Sequence, residues 1–110
     1  MKSTIKITII AALAFSASVA SAHYCDTVGK PDVCYAAQVR VSGLMRDYNN
    51  QAVRKSSLKA TEKKAWFAED NRFVQWVNTN CRGVSSCQLR NLDAFNNANS
   101  YKLKKMGVPR

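Results

Sequence analysis

A single histidine and seven carboxylates are all that this 110-residue chain offers for acid–base chemistry. General acid–base and nucleophilic catalysis need paired carboxylates, or a histidine beside a nucleophile. Here Asp26, Asp32, Asp47, Glu62, Glu69, Asp70 and Asp93 are scattered. The adjacent pair Glu69-Asp70 would point about 100° apart on a helix. No glycine-rich phosphate loop is present. His23 would become N-terminal if a leader were removed before it, and a terminal histidine can hold copper through its ring and amine. That brace needs a second histidine, which is missing. The chain is therefore read as a non-enzyme without catalytic residues, metal ligands or cofactors.

Long apolar runs are equally scarce. The one at the start, "MKSTIKITIIAALAFSASVASA", has Lys2 and Lys6 ahead of an apolar stretch from Ile7 to Phe15, then Ala20-Ser21-Ala22 as a small-x-small cleavage site. This pattern predicts an export signal removed after residue 22, too short to span a bilayer. Cys25 stands beyond the cleavage junction, so no lipid anchor is expected. No other window is apolar enough to cross a membrane. The mature chain is expected in the periplasm or outside the cell, with one domain over residues 23–106 and a basic, mobile tail over 107–110.

Cysteine is present in a telling number. Cys25, Cys34, Cys81 and Cys87 all lie in the mature part, spaced Cx8C and Cx5C. Neither spacing matches the Cx2C pairs of zinc sites or the CxxC of redox centres. An even count in a short exported chain reads as a disulfide framework, and a core this small needs such support. In a helical hairpin all four cysteines gather at one end, so geometry permits every pairing. Gly29, Pro31 and Gly83 favour the local bridges Cys25–Cys34 and Cys81–Cys87, while a long bridge such as Cys34–Cys81 stays open.

The fold expected is all-α. Cys34, Ala37, Val41, Leu44 and Tyr48 recur at helical steps, predicting a first helix from about Asp32 whose apolar stripe faces the core. The pattern fades through Asn49-Asn50-Gln51. Ser56 or Ser57 would cap a second helix running from Leu58 to about Asn80, with Glu62 at the margin of a core face made by Trp66, Phe73, Trp76 and Val77. One bent helix through Ser56-Ser57 is the alternative to a hairpin. Such a rod could not be buried without a partner, which favours the hairpin. Gly83 suits a left-handed helix end. A third helix from about Ser85 carries Leu89, Leu92, Phe95, Asn99 and Leu103. Its many asparagines predict a weak, fraying helix.

Acid is in deficit as well. Without Lys2 and Lys6, 15 basic side chains face 7 acidic ones, a formal charge of +8. Lys55, Lys59 and Lys63 stand at four-residue steps and would line one helix edge. Phe67 with Val74 lies roughly 90° round the second helix from Trp66, either as part of a wide buried arc or as a contact beside Lys63. Lys59, Lys63 and Phe67 are the candidate partner-binding residues, and the partner expected is an acidic protein or an anionic envelope polymer. Export argues against nucleic acid, and the sequence is silent on oligomeric state.

The stretches "LMRDYN" (Leu44 to Asn49), "LKATEKKAW" (Leu58 to Trp66) and "WVNTNCRGVSSCQL" (Trp76 to Leu89) resemble the LprI-type lysozyme-inhibitor family, small exported helical proteins with a few cysteines. The resemblance runs from about Cys25 to Leu92. It implies a compact helical fold and an inhibitory binding role. Many lysozymes are basic and would repel a chain of this charge, so an acidic target fits better. Two other roles are consistent with the sequence: a secreted cationic effector acting on membranes, and an accessory subunit of an envelope secretion or conjugation machine.

Overall fold

The computed structural model describes residues 24–110; the export signal expected over residues 1–22, and His23, lie outside them. Three helices follow in order: α1, Pro31–Lys55; α2, Ala60–Cys81; and α3, Ser85–Lys105. The chain is all-α, and the hairpin, not the single bent helix, is formed.

Local chemistry sets each boundary. Pro31 opens α1 with Asp32 in its first turn, a ring that needs no N–H partner and a charge that complements the helix dipole. The helix runs on past Asn49-Asn50-Gln51 and stops at Ser56, whose hydroxyl donates to the Val53 carbonyl at 2.6 Å. The same oxygen accepts from the Leu58 N–H at 3.3 Å. Ser56 thus ends α1 instead of starting α2. At the head of α2 the Lys59 N–H donates to the Glu62 carboxylate at 3.1 Å, so Glu62 is an exposed cap and not a core residue. Arg82 (φ 49°) and Gly83 (φ 78°) are both left-handed and end α2.

The helices run up, down, up. Arg46 meets Asp70 and Asn50 meets Trp66, which sets α2 antiparallel to α1. Ser42 donates to Asp93, and Val53 shares a buried cluster with Leu103, so α1 and α3 lie parallel and in direct contact. α3 is continuous along its length, and its asparagines are structural. Asn96 Nδ2 donates to the Ser42 carbonyl at 2.8 Å, and Asn49 Nδ2 to the Asn96 carbonyl at 3.4 Å and Ser100 Oγ at 3.3 Å. Packing partners of this kind override the weak intrinsic propensity of asparagine.

Among the described residues there are two small apolar cores. One joins Cys25, Tyr35 and Leu89, flanked by Cys34 and Val39. The other joins Val53, Leu103 and Val108, flanked by Ala52, Leu58, Trp66 and Phe67. Between them the α1–α3 seam buries Ser42, Asn49, Asn96 and Asn99. The expected inward stripe of α1 is therefore turned outward: Val41, Leu44 and Tyr48 are 56%, 68% and 53% exposed. The face that is buried carries Tyr35, Ser42, Asn49 and Val53. The Ser42 hydroxyl and the Asn49 Nδ2 find partners in Asp93, Asn96 and Ser100 on α3, while the Asn49 Oδ1 is buried without one. Trp76, expected in the core, is half exposed. Phe73, in contrast, stacks on Phe95 of α3 at 3.8 Å.

The bridges formed are the local ones, Cys25–Cys34 and Cys81–Cys87, and no cysteine among the described residues is free. The tail folds back on the bundle. Gly107 (φ 72°) lets the Val108 N–H reach the Leu103 carbonyl at 2.9 Å and the Gly107 N–H reach that of Lys104 at 3.1 Å. This paired helix end places Val108 on Leu103.

Candidate anion-binding pole

Topology collects the cations. The ends of α1 and α3 and the beginning of α2 share one end of the bundle. Arg54 and Lys55 come from the last turn of α1, and Lys102, Lys104 and Lys105 from the last turn of α3. Lys59, Lys63 and Lys64 open α2, and the tail adds Arg110. Nine of the fifteen basic residues after residue 22 stand here with one acid, Glu62, while the other six basic and six acidic residues cancel. The whole formal excess of +8 thus sits at one pole.

Helix dipoles explain part of this arrangement. Cations at the C-terminal ends of α1 and α3 are stabilising. Lys59, Lys63 and Lys64 are at the N-terminal end of α2, where the dipole disfavours positive charge. Lys63 offsets this by bonding to the end of α1, whereas Lys59 and Lys64 raise the positive potential at a cost to the helix.

The three candidate contacts divide. Lys59 is exposed. Lys63 is half-buried and its Nζ donates to the Arg54 carbonyl at 3.0 Å. Phe67 packs on the second core, with the Arg54 guanidinium 4.9 Å from its ring centre. Lys63 and Phe67 therefore hold the end of α1 against α2, and Phe67 belongs to a wide buried arc. Sequence reasoning missed Lys102, Lys104, Lys105 and Arg110 as members of the same pole. The run "KLKKMGVPR" was their signal, but its meeting with Lys59 depends on α1 and α3 being parallel.

Away from the pole three arginines form ion pairs. Arg46 makes two hydrogen bonds to Asp70, at 2.7 and 2.6 Å. These bonds chiefly raise the Arg46 pKa above its ordinary value, against the opposing effect of burial. Arg90 pairs with Asp26 at 3.2 Å and Arg72 with Glu69 at 2.9 Å. Among the described residues no three His, Cys, Asp or Glu side chains are placed to hold a metal ion. No helix among them is long and apolar enough to cross a membrane.

Comparison with protein-family models, curated proteins and solved structures finds no match.

Proposed function

We propose that this chain is a small exported binding protein of the bacterial envelope, without catalysis of its own, that engages an acidic partner through its cationic pole. The observation that supports it is the confinement of the entire excess charge to one end, including lysines placed against the dipole of α2. Such a pole steers and holds a polyanion over a Debye length of about 8 Å at physiological salt. Two closed disulfides suit an oxidising compartment, in keeping with the leader pattern. The resemblance to LprI-type inhibitors supports occlusion of a partner as the mode of action, with an acidic target.

A soluble chain of inorganic polyphosphate tests the pole. Its affinity for the purified protein should fall roughly tenfold or more between about 50 and 300 mM salt. The double change Lys102→Glu and Lys105→Glu, on exposed residues, should weaken it by at least about tenfold. Binding indifferent to both would dismiss the reading.

A further inference from the structure

On α1, Val33, Val41, Leu44, Met45 and Tyr48 are exposed. At 3.6 residues per turn they fall within an arc of about 120°. From Val33 to Ala52 that arc holds no charged residue; the first one met is Lys55. The folded tail adds a second cation there. Arg110 lies over the Tyr48 ring at 5.4 Å and reaches Met45 Sδ at 3.5 Å. Tyr48, Ala52 and Pro109 line a groove of about 380 Å³ between α1 and the tail, with Lys55 and Arg110 at its side. Along α1 the order is thus aliphatic strip, tyrosine, cations.

We propose that this outer face of α1 docks on an anionic lipid bilayer. Val41, Leu44 and Met45 enter the boundary between headgroups and acyl chains, Tyr48 sits at headgroup level, and Lys55 and Arg110 hold lipid phosphates. The inference rests on the cationic-pole reading and names its partner. Surface-lying helices have this composition, an apolar face with cations at its margin, and anionic headgroups attract cations held close to the bilayer surface. A second copy of the chain fits less well. Parallel stacking of two such faces brings the two +8 poles together. Antiparallel stacking sets Lys55 and Arg110 against Val33, on a strip with no carboxylate. A bilayer supplies the apolar layer and the negative charge together.

Sedimentation with phosphatidylcholine vesicles, with and without phosphatidylglycerol, tests it, using polyphosphate as the lipid-free comparison. The protein should bind the phosphatidylglycerol vesicles only. Leu44→Ser, at an exposed position, should weaken vesicle binding roughly tenfold and leave polyphosphate binding unchanged. Vesicle binding untouched by Leu44→Ser, or polyphosphate binding without vesicle binding, overturns the docking face and spares the pole. A wild-type dimer that becomes monomeric with Leu44→Ser reassigns the strip to a second copy and overturns it too. Failure to bind either probe sinks the pole reading itself.

Discussion

The two ends of this bundle are held by different means. At one end stand both disulfides, one of them within the cluster of Cys25, Tyr35 and Leu89, and Arg90 there pairs with Asp26. At the other, Val53, Leu103 and Val108 pack without any covalent bridge beneath nine cations and a single acid. Like charges that close together oppose compaction. The bare end tolerates them because a buried apolar cluster and an ordered helix end lie directly under the charge. The staples, placed at the far end, leave the charged surface free of covalent constraint.

Reducing both bridges is the strongest way to break this contrast. The loops close residues 9 and 6 positions apart, and the loop-entropy model assigns each about 2–3 kcal/mol. Together that is about 5 kcal/mol, comparable with the whole stability of many small domains. Thermal unfolding followed by circular dichroism, with and without reductant, should show most of the helix lost at temperatures where the oxidised protein is folded. A midpoint unmoved by reduction would mean that packing alone sustains the fold.

The next test cuts the same group from each core. Leu89 and Leu103 are both fully buried. Each leucine-to-alanine change should cost about 2–5 kcal/mol in denaturant unfolding. The ends should then respond differently. At Leu103 the loss also releases Val108, which packs on it, and with it the hold of Arg110 on Tyr48. The amides of Gly107 and Val108 should exchange with solvent far faster in Leu103→Ala than in Leu89→Ala. Equal protection of those amides in the two variants would show that the basic end does not depend on its small core.

Much of the framework is legible in the sequence alone, because it depends on local signals. Gly83 ends a helix, the cysteine count in a short chain implies bridges, and the break near Ser56 separates α1 from α2. The inward face of α1 is not legible in the same way. Val41-Leu44-Tyr48 and Ser42-Asn49 both recur at helical spacing, and hydrophobicity favours the first as core. Asp93, Asn96 and Ser100 on another helix make the choice, and periodicity within α1 cannot register them. Lys59 and Lys63 are visible as one edge, whereas the pole needs the third helix laid parallel to the first. The tail is a different case. Gly107-Val108-Pro109 after a helix is a local stop signal, with an aliphatic residue ready to pack on Leu103, and its basic neighbours obscure it.

The seam between the two ends allows a finer test. Asn49 makes two long hydrogen bonds, at 3.4 and 3.3 Å, and its side-chain oxygen is buried without a partner. An unmet buried acceptor costs about 1–3 kcal/mol, whereas replacing polar groups by an apolar one of similar shape is neutral or stabilising. Asn49→Leu keeps the number and branching of the side-chain heavy atoms, removes the orphan oxygen and strands nothing, since the Ser100 hydroxyl can turn to the carbonyl four residues back on its own helix. Its unfolding free energy should rise by about 1 kcal/mol. Asn96 has the same orphan oxygen but donates a good 2.8 Å bond to the Ser42 carbonyl, so Asn96→Leu loses more than it relieves and should lower the unfolding free energy by about 1 kcal/mol. If Asn49→Leu is the variant that loses stability, the Asn49 amide is what holds α1 and α3 in register. The polar seam, and not the two apolar ends, would then decide which face of α1 turns inward.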